Sequence, residues 1–236
     1  GDRTRIELSA VQRNMLKALK AAGKTVIFVN CSGSAIALTP ETESCDAILQ
    51  VWYPGQEGGT AVADVLFGTV NPSGKLPVTF YRSDAQLPDY EDYSMKGRTY
   101  RYFADPLFAF GYGLSYTQFN IGELSLSSKK MSKSSLPLTV EVPVTNVGKR
   151  DGDEVVQLYI RKLDDANGPR KSLRAFQRVQ VKAGQTVKAK LTLDEQSFAF
   201  FDEATNTVHT TAGRYELQYG NSSQDNDLKT LTIEIE

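Results

Sequence analysis

The chain has 236 residues, of which 40% are hydrophobic and 23% charged. That is ample apolar material for one large core or two ordinary ones, which excludes a disordered chain and a disulfide-stapled miniprotein. Lys and Arg number 27 against 28 Asp and Glu, so no net basic field draws the chain to nucleic acid or to an anionic membrane surface. The longest apolar run is far short of the roughly 20 residues that span a bilayer, so no membrane insertion is expected. The opening Gly1-Asp2-Arg3 is polar and carries no secretory signal pattern.

Residues 1–115 read as α/β. Ser9 is a plausible N-cap, with Gln12 as its capping-box partner. Val11, Met15, Ala18, Leu19 and Ala22 then recur at helical spacing, and Gly23 stops the helix. Thr25 to Val29 is a continuous β-rich apolar run, the pattern of a strand buried on both faces. Ala47 to Tyr53 predicts a second such strand. Gly58-Gly59 leads into a short helix over 60–67, ended by Gly68. Asn71-Pro72-Ser73-Gly74 is a turn, and Leu76 to Phe80 predicts a third strand. From Tyr81 to Phe110 the chain is loop-like, dense in Tyr, Asp and Pro. One helix, a few strands and a second helix cannot cover both faces of a parallel sheet. This half therefore reads as a partial α/β sandwich domain, and further strands or another domain are expected upstream.

Residues 116–236 read as all-β. Period-two alternation marks Leu138 to Val144, Val187 to Leu193, Tyr215 to Tyr219 and Leu231 to Ile235. Val155 to Ile160 and Ala175 to Val181 add strands. Asn146-Val147-Gly148, Asn167-Gly168-Pro169 and Ala183-Gly184 supply turns. The pattern predicts a fibronectin type III-like, that is immunoglobulin-like, β-sandwich. Ser125 to Ser135, with Ser and Lys interleaved, reads as an exposed loop between strands.

Little in the chain suits metal or triad chemistry. There is one His and there are two Cys, and Cys31, Cys45 and His209 do not cluster in sequence. His209 lies in a Thr-rich, strand-like stretch and reads as structural. Cys31 and Cys45 are either small buried residues or the ends of a short bridged loop. Lys129, Lys130 and Lys133 lack the interleaved aromatics of a nucleic-acid surface and read as solvated. Asn30-Cys31-Ser32 and Asn221-Ser222-Ser223 fit the glycosylation acceptor pattern, a weak signal.

Several ordered motifs carry a family resemblance. They are Gly23-Lys24-Thr25-Val26-Ile27-Phe28-Val29-Asn30 and Ala47-Ile48-Leu49-Gln50-Val51-Trp52-Tyr53-Pro54-Gly55-Gln56-Glu57-Gly58-Gly59. Asn71-Pro72-Ser73-Gly74-Lys75-Leu76-Pro77-Val78-Thr79-Phe80 and Gly97-Arg98-Thr99-Tyr100-Arg101-Tyr102-Phe103 follow. Then come Phe110-Gly111-Tyr112-Gly113-Leu114-Ser115-Tyr116 and Gly152-Asp153-Glu154-Val155-Val156-Gln157-Leu158-Tyr159. In this order the chain resembles the C-terminal part of glycoside hydrolase family 3. The wording Met95-Lys96-Gly97-Arg98-Thr99-Tyr100 leans toward the β-xylosidase-like branch, with the β-glucosidase-like branch next.

The resemblance implies a parent with an N-terminal barrel, then the α/β sandwich domain (here 1–115), then the fibronectin-like domain (here 116–236). Such a parent is an exo-acting, retaining β-glycosidase without cofactor, secreted or periplasmic, acting on oligosaccharides or β-glycosides. Retention needs two carboxyl groups about 5 Å apart. The resemblance places the nucleophile in the barrel and the acid/base upstream of Gly1. No catalytic residue is therefore expected in this chain, which would be inactive alone and would serve as scaffold and pocket closure, in contact with the barrel. Ser83-Asp84-Ala85 only superficially echoes the family's nucleophile motif. The rival reading is a carbohydrate- or protein-binding β-sandwich module without catalysis.

Candidate residues follow from chemistry. Glu57 sits in a Gly-rich strand-to-helix turn and reads as structural before catalytic. Trp52 and Tyr53 fill the sheet core or its edge before they stack on a sugar. The loop bearing Tyr90, Tyr93, Met95, Lys96, Arg98, Tyr100, Arg101 and Tyr102 interleaves aromatic and basic groups. That suits sugar recognition, and it equally suits packing against another domain. Within it Lys96, Arg98 and Tyr100 are the substrate-binding candidates. Asp89, Glu91 and Asp92 read as a solvated loop face.

Overall fold

The computed structural model describes residues 4–126 and 128–236. They form two compact units. The first runs up to Val70 and includes Val78–Thr99 and Phe103–Ala109; the second comprises Asn71–Pro77, Tyr100–Tyr102 and Phe110–Glu236.

In the first unit, helix α1 (Ala10–Ala21) has the expected capping box: the Ser9 hydroxyl accepts the Gln12 N–H, and the Gln12 side chain returns to the Ser9 N–H. Gly23, at φ +71°, ends it. Strand β1 (Ile27–Asn30) pairs in parallel with β2 (Ala47–Gln50). Helix α2 (Thr39–Ser44) lies between them in sequence, with proline in its first turn, and α3 (Gly58–Leu66) follows. The small core joins Leu16, Val26 and Cys45, with Leu8, Phe28 and Ile48 packed against them. Below it the buried Glu41 accepts the Arg13 Nε–H at 2.8 Å.

Three expectations for residues 1–115 fail. The apolar helical positions Val11, Met15 and Leu19 are exposed, and Leu16 is the one α1 residue that is buried. The two-stranded sheet accounts for this, because it has too little surface to cover a second helix face. For the same reason β1 is not buried on both faces; Ile27 is exposed. Finally, Leu76 to Phe80 forms no strand. Phe80 makes an isolated bridge to Phe108, while Leu76 accepts from Gly111 and donates to Tyr112. The run includes Pro77, which has no N–H to extend a ladder.

The one-turn helix α4 (Thr99–Tyr102) precedes the sandwich. The sandwich strands are β3 (Phe119–Ile121), β4 (Lys130–Met131), β5 (Leu138–Asn146), β6 (Gly152–Lys162), β7 (Ser172–Val181) and β8 (Thr186–Leu193). They continue with β9 (Ala199–Asp202), β10 (Thr207–Thr210), β11 (Gly213–Gly220) and β12 (Leu228–Ile235). One sheet has the order β4-β12-β11-β6-β7 and the facing sheet β3-β5-β8, while β9 and β10 form a separate hairpin. The inward residues alternate as expected: Val140, Val142 and Val144 meet Val156, Leu158, Ile160, Leu217 and Ile233. The fold is thus an α/β part followed by a β-sandwich. The Ser/Lys-rich stretch departs from a plain loop, because Met131 is buried in the core and Lys130 lies in β4. Ser127 lies outside the described residues. Among the described residues no helix is long and apolar enough to cross a membrane.

β6 is buried along most of its length. Its Gln157 amide donates to the Gly111 carbonyl at 3.1 Å and the Asn221 carbonyl at 2.8 Å, and accepts the Tyr159 hydroxyl at 2.5 Å. Gly111 stands at φ +79°, and a Cβ there would lie 1.9 Å from Gln157 Oε1. Burial pushes the Tyr159 phenol well up, so it remains a proton donor. Replacing Gln157 by Leu is expected to cost about 2–4 kcal/mol, because buried polar groups left unpaired cost about 1–3 kcal/mol each. The urea midpoint should fall with an unchanged slope.

Lys171 is buried, and its Nζ donates to the Ser223 carbonyl and to Asp225 Oδ1, at 2.8 and 2.5 Å. Burial lowers the lysine's affinity for its proton, partly offset by the bond to Asp225. Burial alone would raise the Asp225 pKa; the Lys171 hydrogen bond and charge, then Arg170, outweigh it and hold Asp225 below the usual aspartate range. The folded state thus binds this proton less readily than the unfolded state. The stabilisation is full above about pH 4 and is lost as pH falls through the lower folded value. Asp225→Asn should cost about 1–3 kcal/mol at pH 7, less than a fully buried pair because the Asp225 side chain is 56% exposed. Unfolding curves at pH 7 and pH 3 should show the difference shrinking in acid.

Candidate functional site

The aromatic and basic loop is a built structure. Asp89 Oδ1 accepts the Glu91 N–H at 2.9 Å, and Asp92 Oδ1 accepts the Ser94 N–H at 2.8 Å. These are local Asp-closed turns. The Ser94 backbone and side-chain hydrogen bonds hold the Asp92 pKa below the usual range, helped by the charges of Arg98 and Lys96. Arg98 then clamps three carbonyls: Nε donates to Ser94 at 3.1 Å, and Nη2 to Asp89 at 3.0 Å and Asp92 at 2.5 Å. The Tyr81 hydroxyl donates to the Gly97 carbonyl at 3.1 Å, and the Tyr81 ring packs on Phe103 with centroids 4.8 Å apart.

On this frame Tyr90 and Tyr93 stand 92% and 93% exposed, with Met95 at 44%. A fixed loop that holds two tyrosine rings in water presents a surface for a flat, partly apolar ligand or for another protein surface.

The three substrate-binding candidates occupy different settings. The Lys96 side chain is exposed on the loop. The Arg98 guanidinium is engaged by the loop carbonyls. Tyr100 belongs to the second unit, stacked on Phe110 with centroids 4.3 Å apart and edge-on to Tyr159 at 5.7 Å. Its hydroxyl accepts the Leu173 N–H at 3.1 Å.

The carboxylates singled out in the sequence have local structural partners. Glu57 precedes α3 and accepts the Thr60 hydroxyl at 3.3 Å. Asp84 Oδ1 accepts the Ile6 N–H at 2.8 Å. Trp52 lies edge-on to Phe80 at 6.2 Å, whereas Tyr53 is exposed. His209 shares a hydrogen bond with Thr207 at 3.0 Å on the β9–β10 hairpin. Cys31 is exposed, Cys45 is buried, and both are free thiols. Among the described residues no group of three or more His, Cys, Asp or Glu converges on a metal position.

Residues 1–116 match the sequence profile of the glycosyl hydrolase family 3 C-terminal domain, and residues 154–223 match the fibronectin type III-like domain. The chain belongs to glycoside hydrolase family 3. It is 64% identical over 235 residues to xylan 1,4-beta-xylosidase of Xylanibacter ruminicola, covering all of this chain and 27% of that protein. It is 40% identical over 215 residues to the periplasmic beta-glucosidase of Salmonella typhimurium, covering 85% of this chain and 28% of that protein. Among solved structures, DesR, a beta-glucosidase from Streptomyces venezuelae in complex with D-glucose, superposes at TM-score 0.88 with 33% identity, over all of this chain and 32% of that one. The chain spans little more than a quarter of the length of these two sequence relatives. The resemblance read from the ordered motifs is borne out.

The sequence reading passed over Arg174 and Phe201, which line a cavity in the second unit. An arginine among alternating strand residues carries no signal of being half-buried, so no local pattern marked it. For the loop, Arg98→Met should loosen 89–98 without unfolding the chain. Amide exchange at Glu91, Ser94 and Arg98 should quicken about 10- to 100-fold, the effect of losing about 1–3 kcal/mol of charge-assisted bonds near the surface.

Proposed function

We propose that this chain is the C-terminal part of a retaining, exo-acting β-glycosidase of β-xylosidase or β-glucosidase type. The parent would remove terminal β-linked sugars from oligosaccharides or glycosides. The observation that carries this reading is the 64% identity along the whole chain to a xylan 1,4-beta-xylosidase of which the chain covers 27%. Both catalytic carboxyl groups of the retaining reaction, about 5 Å apart, would be supplied by the rest of the parent.

The role of this part is to scaffold and to close the sugar pocket. Its domains divide at 115/116, a reading supported by the profile match that ends at residue 116. The exposed apolar positions Val11, Met15 and Leu19 on α1 give another domain, such as an N-terminal barrel, a surface to bury. The loop of Tyr90 and Tyr93 faces that barrel or its sugar. Lys96 contacts sugar hydroxyls, Arg98 positions the loop, and Tyr100 fixes the segment that leads out of it. The relative named periplasmic supports an extracytoplasmic location.

The test compares this chain with the full-length protein on aryl β-xyloside, β-glucoside, β-arabinoside and β-N-acetylglucosaminide. The chain alone should show no turnover above background. The full-length protein should hydrolyse the xyloside or glucoside and release the β-anomer first, read by proton NMR. In that protein Lys96→Ala should raise KM several-fold with kcat little changed. Turnover by the chain alone, or an inert full-length protein, would overturn the reading.

A further inference from the structure

Strands β1 and β2 run in parallel and end level, with Asn30 opposite Gln50, so the segments that follow them leave the sheet at the same carboxyl edge. In open α/β sheets that edge is where ligands bind. The two segments are tied together there. Asn30 Nδ2 donates to Gln50 Oε1 at 2.6 Å and to the Ser32 hydroxyl at 3.1 Å, and Gln50 Nε2 donates to the same hydroxyl at 3.2 Å. Asn30 and Ser32 are buried, so the edge has a fixed polar floor.

Trp52, two residues beyond β2, stands at φ +55°, a left-handed conformation that bulky side chains rarely adopt. Strain of this kind clusters at ligand and active sites, where the surrounding structure over-determines it. Here it sends consecutive side chains apart. The Trp52 indole packs edge-on to Phe80, with centroids 6.2 Å apart, while Tyr53 is 78% exposed. The Tyr53 ring is nonetheless supported. It lies against Gly33, where an added Cβ would fall 2.5 Å from Tyr53 Cε2 and 2.9 Å from Cζ. A ring seated on a glycine keeps most of its surface in water at a fixed position, so a ligand that covers it orders little else.

Charge narrows the ligand. Neither segment, 31–34 or 51–57, carries Lys or Arg, and Glu57 is their one carboxylate. These segments therefore offer no cation for a phosphate, a nucleotide or an acidic sugar. They do offer exposed polar groups in Ser34 and Gln56. An aromatic ring beside uncharged hydrogen-bonding groups suits a neutral ring that bears hydroxyls.

We propose that Tyr53 is a stacking platform for a neutral pyranose unit at the carboxyl edge of the β1–β2 sheet. The C–H face of the sugar lies on the Tyr53 ring, and its hydroxyls reach Ser34 and Gln56. The platform is carried by segments other than the Tyr90–Tyr93 loop. The choice of a sugar among neutral rings rests on the reading of the chain as part of a β-glycosidase.

The test titrates the 236-residue chain with xylobiose, and with sorbitol as a polyol that has no ring, followed by amide NMR. Saturable shifts at Gly33, Trp52 and Tyr53 are expected with xylobiose alone. Trp52 is the one tryptophan of the chain, so its emission should change along the same curve. Tyr53→Ala should weaken binding about tenfold or more, whereas Tyr53→Phe should leave it within about twofold, because the ring and not its hydroxyl makes the contact. Gly33→Ala displaces the ring from an exposed position and should weaken binding several-fold, with unchanged shifts elsewhere as the check on folding. No saturable response to xylobiose, an equal response to sorbitol, or a Tyr53→Ala chain that binds like the unaltered one, would overturn the proposal. Such a result beside a full-length protein that still hydrolyses aryl β-glycosides overturns this inference alone. An inert full-length protein would overturn the glycosidase reading instead.

Discussion

Gln157 is the constraint on which the second unit depends. It lies on β6, an interior strand of the larger sheet between β11 and β7, on the side away from the valine- and leucine-lined core. A buried primary amide must satisfy both its oxygen and its nitrogen, and Gln157 does so with Gly111, Asn221 and Tyr159. Only a residue without Cβ fits at 111. That contact fixes the segment carrying Phe110, on which Tyr100 stacks, and Tyr100 in turn accepts the Leu173 N–H. Lys75 adds a parallel tie: it pairs with Glu154 at 2.8 Å, both side chains nearly buried, and Glu154 also accepts the Asn221 amide. The outer face of β6 is therefore covered by Asn71–Pro77, Tyr100–Tyr102 and Phe110 onward, which is why these stretches group with the sandwich.

This explains what could be read in advance. The sandwich strands were legible because period-two alternation is a local property, and each strand has its apolar side on one core. Val140, Val142 and Val144 needed no distant information. The α1 cap was legible for the same reason, since Ser9 and Gln12 are three residues apart. Leu76 to Phe80 misled because an apolar, β-branched run satisfies the local rule, while strand formation needs a partner along its whole length. Here the pairing is broken into single bonds to Phe108, Tyr112 and Gly111. The exposed face of α1 was equally beyond local reading. Periodicity identifies an apolar stripe and leaves open what covers it.

The candidate loop was legible in composition alone. Tyrosines among Lys and Arg marked it, but the separate tasks of the basic residues depend on geometry. Arg98 is consumed by three carbonyls of its own loop, while Tyr90 and Tyr93 stand exposed on it. Lys96, one compact charge on a flexible stem, stays exposed. The three residues grouped by sequence as one set are thus an exposed charge, a clamp on its own loop, and a ring packed within the second unit.

Several carboxylates of this chain are committed to structural partners. Asp84, Asp89 and Asp92 each accept a main-chain N–H, Asp225 compensates a buried lysine, and Glu41 and Glu154 receive Arg13 and Lys75. Asp92 and Asp225, held below the usual aspartate range, are poor general acids at neutral pH, because catalysis needs a pKa near the working pH. The same logic singles out Arg174 from the other direction. It is a half-buried cation with no carboxylate within ion-pair distance among the described residues, and it is held instead over the Phe200 ring and on the Ala199 carbonyl.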